Sequence, residues 1–276
     1  MTNETYLGMR PDDLKDKPYA KYWNPDMKGL SEHVTQGLLQ SPLPNGYGFS
    51  HKESTRLLES GYLPLESGYT QLSNGEMFVA TLTPMPGVSG KMIDWWFGWH
   101  GSESQRYKLW HPHAHIKTLM KNPTEDNPNL SDRERYVGNT SYVDEYIGDR
   151  VLKLAIQFKD PEMFGLDPSK FEAAGVQTVV CAHVGPAKSS INVGKLVHLI
   201  RETEDGCEMR SRFWLGKASL RDKPKSHPLN RVLGMKAVSK FAMTRDHGHD
   251  MVVHCGMEMA HLASFLPALY ADYHSE

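Results

Sequence analysis

Short apolar runs fill the middle of this chain, and one long helical period closes it. Met77–Leu82, Met92–Trp99, Val151–Phe158 and Gln177–His183 are rich in aliphatic, aromatic and β-branched residues, which predicts strands. Lys195–Glu202 and Cys207–Leu215 flank the turn sequence Glu204-Asp-Gly206, which predicts a hairpin. Irregular loops separate these runs, and helices do not alternate with them regularly. An antiparallel sheet is therefore expected rather than a doubly wound one. Near the C-terminus, Met251, His254, Glu258, His261 and Phe265 follow helical spacing along one face, and Val252, Met259 and Leu266 cover another. Pro267 is expected to kink or shorten the last turns. A curved antiparallel sheet closed by one long C-terminal helix is an α+β helix-grip architecture, which can enclose a pocket.

The helix-grip domain is expected over residues 76–276, with residues 1–75 as an N-terminal helical and loop extension. Within that extension, Ser41-Pro-Leu-Pro-Asn-Gly-Tyr-Gly48 reads as a loop. Ser50-His-Lys-Glu53 has capping-box spacing and Gly61 marks a stop, so Lys52–Ser60 is expected to be a short helix. Leu-Glu-Ser-Gly-Tyr occurs at Leu58–Tyr62 and again at Leu65–Tyr69, which reads as paired turns rather than a repeat fold.

The 31 Lys+Arg nearly balance the 33 Asp+Glu, so there is no electrostatic reason to expect nucleic acid or an acidic membrane as a partner. No apolar run approaches the roughly 20 residues of a membrane span. Met1-Thr-Asn-Glu-Thr5 lacks a basic stretch followed by an apolar one, so no secretory signal is read there. Cys181, Cys207 and Cys255 are odd in number and have no metal-like spacing. They suit reduced thiols in a cytoplasmic protein. A homo-oligomer is left open.

Several polar clusters could carry chemistry. His254 and Glu258 lie one turn apart on one helix face, turned inward with Met251 and Phe265. The bland alternative is a hydrogen-bonded pair on a solvated face. In Tyr107-Lys-Leu-Trp-His-Pro-His-Ala-His115, three histidines at alternate positions would share one side of an extended segment and could bind a metal. Pro112 weighs against a regular strand, so a loop of surface histidines is the alternative. In Ser141-Tyr-Val-Asp-Glu145-Tyr-Ile-Gly148, the adjacent Asp144 and Glu145 point to opposite faces of an extended chain, so only one can serve a given site. Asp246-His-Gly-His-Asp250 looks metal-like, but Gly248 breaks it and Asp250 is better placed as the cap of the C-terminal helix. His183 and His198 sit in strand-like runs as core or pocket-wall residues.

Taken together, these segments resemble the diacetylphloroglucinol hydrolases and the related phloretin hydrolases. The resemblance is carried by Asp94-Trp-Trp-Phe-Gly-Trp-His100, Arg106-Tyr-Lys-Leu-Trp-His-Pro-His-Ala-His115, the Asp144-Glu145 segment, and His254-Cys-Gly-Met-Glu258 followed by Leu262-Ala-Ser-Phe-Leu-Pro267. It spans the chain from about Gly46 onward. It implies a Bet v 1/START-like helix-grip domain that uses Zn²⁺ to cleave the carbon–carbon bond between a phloroglucinol ring and an acyl group. The implied metal ligands are His115, Glu145, His254 and Glu258. In the resemblance, two tyrosines and an asparagine hold the ring hydroxyls. Tyr107 fits the first tyrosine, whereas Phe213 and Trp214 lie near the second and Thr118 replaces the asparagine. Trp110 and His261 are expected as further contacts to an acylated polyphenol substrate.

Such a cleavage is a retro-Claisen reaction, in which water adds to the ketone and the ring carbon departs with a proton. Glu145, or alternatively Glu258, is the expected ligand that also shuttles the proton, Tyr107 holds a ring hydroxyl, and His198 is a proton donor to the leaving carbon. Two histidines and two glutamates suit a catalytic zinc site, whereas structural sites are closed sets of cysteine and histidine. Two other functions stay open: a zinc hydrolase of another aryl ketone or ester, and a non-catalytic helix-grip binder of hydrophobic ligands.

Overall fold

Alternate residues along the central strands enter opposite apolar clusters, as the two-residue period of a strand requires. The computed structural model describes residues 6–124, 127–221 and 244–274. Among these, β1 (Gly68–Gln71), β2 (Met77–Pro86), β3 (His115–Met120), β4 (Thr140–Ile147), β5 (Arg150–Lys159), β6 (Val176–Pro186), β7 (Ile191–Thr203) and β8 (Gly206–Leu220) form one sheet. Its order is β1-β2-β8-β7-β6-β5-β4-β3, with antiparallel neighbours throughout. The expected hairpin is β7–β8, with Thr203 opposite Gly206. The β2–β8 pairing is the long-range closure, joining Phe78 to Trp214 and Ala80 to Arg212.

Among the described residues, four α-helices accompany the sheet: α1 (Glu32–Gln40), α2 (Gly90–Trp99), α3 (Ser104–Trp110) and α4 (Arg245–Tyr273). On one face of the sheet, Met77, Val79, Val180, Ala182, Leu196 and Ile200 pack in one cluster with Met259, Leu262 and Leu266 of α4. On the other face, Phe78, Ala80, Val179, Cys181, Val197 and Leu199 pack with Phe49, Leu57 and Leu65 of the N-terminal region. The sheet and its long C-terminal helix make the expected helix-grip architecture.

Several local expectations change. Met92–Trp99 belongs to α2 and not to a strand. The Ser89 hydroxyl accepts from the Met92 amide at its start, and burial on several sides leaves the apolar run without a visible helical period. The predicted helix at Lys52–Ser60 is a 3₁₀ segment over His51–Leu58, started by the Ser50–Glu53 capping box. The second Leu-Glu-Ser-Gly-Tyr copy runs into β1 rather than forming only a turn, so the sheet begins before residue 76.

At the C-terminus, α4 starts at Arg245 after Thr244, so Asp250 lies within the helix and pairs with Arg150 at 3.3 Å instead of capping it. Gly248 does not break this helix. It allows close contact with β1, because a Cβ there would lie 2.5 Å from the Tyr69 ring. The helix also continues through Pro267 to Tyr273. By length and composition α4 is long and apolar enough to cross a membrane, contrary to the sequence expectation, yet 61% of the qualifying stretch is buried inside the fold. Cys181, Cys207 and Cys255 are all buried and unpaired, as expected of reduced thiols. Residues Met1–Thr5, where no signal was read, lie outside the described residues.

Candidate active site

Antiparallel register brings two of the site residues together. His115 opens β3 directly opposite Glu145 on β4. Across from them, His254 and Glu258 lie one turn apart on α4. Ligand atoms of His115, Glu145 and His254 all lie within 4.8 Å of one another. Glu258 Oε2 joins them, 3.5 Å from His115 Nε2 and 3.7 Å from His254 Nε2. All four side chains are buried.

Hydrogen bonding aims the His115 ring. Its Nδ1 is 2.9 Å from the Tyr107 carbonyl oxygen, which can only accept, so Nδ1 carries the hydrogen. Nε2 is left with its lone pair, buried and without a hydrogen-bond partner. The His254 ring is likewise hydrogen-bonded to the Tyr146 backbone. Among the described residues, neither Glu145 nor Glu258 is paired with a lysine or arginine. Burial pushes Glu145 up to about 7, against a hydrogen bond from Tyr107 that lowers it. Glu258 is also raised well above the ordinary carboxylate range, first by burial and then by the neighbouring Glu145 charge. Burial holds His254 down to about 4 and His115 well below the ordinary range. Two neutral imidazoles and two carboxylates with no protein cation among them fit a divalent metal ion.

Above these groups lies a pocket walled by Phe97, Tyr107, Trp110, Phe158 and Phe213, with Val143, Ile156, Leu196 and Met251 filling the gaps. His100, Ser141 and His198 supply polar points on the wall. The Tyr107 hydroxyl donates to Glu145, and its ring stacks on His115 at 3.7 Å. His198 Nδ1 lies 2.7 Å from Ser211 Oγ, and burial lowers its pKa to about 3. Trp110 lines the pocket. His261 is not among the lining residues, and it packs on Phe265 at 5.6 Å. Phe213 lines the pocket, while Trp214 faces the opposite side of the sheet and donates to the Phe49 carbonyl. Thr118 is 3.0 Å from Ser141 Oγ, one shell behind the wall.

The three clustered histidines do not share one side of an extended segment. α3 ends at Trp110, and a turn follows before β3 begins at His115. His111 is buried and stacks on His254 at 4.9 Å, whereas His113 is exposed. Asp144 points away and pairs with Lys153 at 3.0 Å, leaving Glu145 to face inward. Asp246–Asp250 forms the first turns of α4, where His247 accepts from Arg150 at 2.7 Å. His183 packs against Phe164, away from the pocket. Sequence reasoning gave no role to His100, whose only local signal was its place at the end of the tryptophan-rich run.

The family model of the DAPG hydrolase PhiG domain matches residues 49–271. A 2,4-diacetylphloroglucinol hydrolase of Pseudomonas protegens is 32% identical over 273 residues, covering 94% of this chain and 86% of that protein. A phloretin hydrolase of Eubacterium ramulus is 27% identical over 267 residues, covering 95% and 92%. Among solved structures, the norcoclaurine synthase of Thalictrum flavum covers 73% of this chain and 91% of its own, with 10% identity and a TM-score of 0.34. With the family model matching most of the chain, and a relative above 30% identity aligned over nearly all of it, this protein belongs to the DAPG hydrolase family.

Proposed function

We propose that this protein is a hydrolase that cleaves the carbon–carbon bond between a polyhydroxylated aromatic ring and its acyl group, with Zn²⁺ held by His115, Glu145, His254 and Glu258. The products are a carboxylic acid and the deacylated phenol. One observation carries the proposal: two histidines and two unpaired buried carboxylates converge beneath an aromatic pocket. The substrates named for the two hydrolase relatives are both acylated phloroglucinols, which supports the substrate class.

When bound there, Zn²⁺ supplies Lewis acidity that polarises a ketone and makes water acidic near neutral pH. The chain's residues account for the rest. The aromatic walls sandwich a flat ring. Glu145, charged when the ion is bound, can accept a proton from the attacking water. Tyr107 donates to that carboxylate and fixes its direction. His198, braced by Ser211, sits on the wall where a proton can pass to the departing ring carbon. The water oxygen bonds to the carbonyl carbon as the ring–acyl bond breaks, and the ring carbon keeps the proton. Ring hydroxyls are essential because they permit a keto tautomer, so the ring leaves as a neutral phenol and not as an aryl carbanion.

Elemental analysis of the purified protein should give about one zinc per chain, and His254→Ala should deplete it. Acid release should be observed from monoacetylphloroglucinol and not from acetophenone. Comparable turnover of the two ketones would end the retro-Claisen assignment, and a metal-free preparation with full activity would end the metal assignment.

A further inference from the structure

We infer that His100 is a specificity-determining residue whose free Nε2 edge accepts a hydrogen bond from a ring hydroxyl of the acylated phenol. The inference rests on the proposed function and assigns a recognition point within that pocket. His100 follows the last turn of α2, with Nδ1 2.7 Å from the Trp96 carbonyl oxygen. A carbonyl only accepts, so Nδ1 carries the hydrogen and Nε2 presents a lone pair. Because Nδ1 is tied back to its own helix, Nε2 is the edge directed away from α2.

Packing holds that orientation. The ring stacks on Trp96 at 5.0 Å, meets Phe97 edge-on at 5.5 Å and Trp110 at 5.2 Å, and lies nearly parallel to Tyr107 at 5.9 Å. Flipping it would break the carbonyl bond and disturb four aromatic contacts. His100 is only 4% exposed, yet it lines the pocket together with Glu145, His254 and Glu258. No described residue donates to Nε2. Burial also holds the imidazole down to about 4, so it is neutral at pH 7.

A fixed acceptor on a wall built mostly of apolar side chains selects a ligand that brings a donor. A phenolic hydroxyl is such a donor, and an aryl methyl ether is not. The nearest competing tyrosine, Tyr107, has its hydroxyl committed to Glu145.

The test uses 2,4,6-trihydroxyacetophenone and its 2-O-methyl and 4-O-methyl ethers, with the zinc-loaded wild type, His100→Phe and His100→Gln. Wild type should disfavour one ether by about tenfold in kcat/KM, the scale of one lost hydrogen bond. His100→Phe should lose about tenfold on the triol and nothing further on that ether, which removes the discrimination. His100→Gln keeps an acceptor and should restore part of it. Calorimetric binding of phloroglucinol should weaken in His100→Phe and recover partly in His100→Gln. Zinc content should be unchanged in both variants. Loss by the same factor on all three ketones, or no change on any, would overturn the inference and leave His100 a packing residue. If His100→Phe does not fold, the wild type and His100→Gln carry the same comparison. Acid release from none of the ketones by the wild type would instead defeat the proposed function, while phloroglucinol binding would still read the His100 contact.

Discussion

The two faces of the sheet bury glutamates in opposite electrostatic states. On the face covered by the N-terminal region, Glu66 Oε1 lies 2.6 Å from Arg210 Nη2, and its other oxygen meets Arg212. Burial alone would raise that carboxyl, but Arg212 and Arg210, with the Leu63 amide, hold it down to about 2. On the face covered by α4, Glu145 and Glu258 are equally buried and have no such partners, and both are raised. Burial is common to both faces, so the neighbouring charge decides the direction. The first face uses its carboxylate to neutralise two buried guanidinium groups. The second keeps two carboxylates available to a cation from outside the chain.

The largest expected effect breaks the first half of that contrast. Glu66→Gln leaves Arg210 and Arg212 buried without their counter-charge, and should lower unfolding free energy by about 3–5 kcal/mol. Denaturant titration measures this, and zinc content of the folded fraction should not change. A parallel loss of zinc would show that the two faces are energetically coupled.

A second prediction sharpens the other half through pH. The depressed histidines, including His100, His115, His198 and His254, bind fewer protons folded than unfolded, so their contribution rises with pH and is nearly complete only by about pH 7.5, one unit above the unfolded value. The raised carboxyls, Glu145 and Glu258, bind more protons folded than unfolded, so stability falls as pH rises through their folded pKa values. Above about pH 7.5 the histidines are deprotonated in both states and this second contribution dominates, so zinc-free protein should lose stability towards pH 8.5, by up to about 1.4 kcal/mol per unit for each carboxyl still protonated. Zinc-loaded protein should lack this decline, because the ion keeps both carboxylates charged. Thermal melts of the two forms from about pH 7.5 to 8.5 test this, and parallel curves would contradict it.

The smallest effect concerns the Tyr107 hydroxyl, which acts on the second face through its bond to Glu145. Tyr107→Phe should retain zinc and lose about tenfold in kcat/KM, the scale of one hydrogen bond to a charged group. Unchanged kcat/KM would reduce Tyr107 to a ring that packs between His115 and Trp110.

What could be read in advance followed from local periodicity. The β7–β8 hairpin and the inward face of α4 were visible because each pattern repeats within one element. Strand alternation put Asp144 and Glu145 on opposite faces, but the choice of Glu145 for the site came only with the family resemblance. Met92–Trp99 misled because an apolar run buried on several sides hides its period, and the informative residue was the Ser89 cap outside it. The histidine block misled for a related reason: α3 extends to Trp110, so His111 and His115 reach the same site from different elements. His100 had no readable role, because its meaning depends on four ring contacts, two of them from α3.

By itself, the order of residues determined which elements form, which of their faces are apolar, and which donor types this protein has to offer. The tertiary structure alone decided that His115 meets Glu145 through the β3–β4 register, and that α4 sets His254 and Glu258 against them. It also decided that Glu66 is charge-paired while Glu145 and Glu258 are not. Periodicity acts over a few residues and is written locally. Register, burial and charge pairing depend on contacts between distant segments, and those exist only once the sheet has closed around its helix.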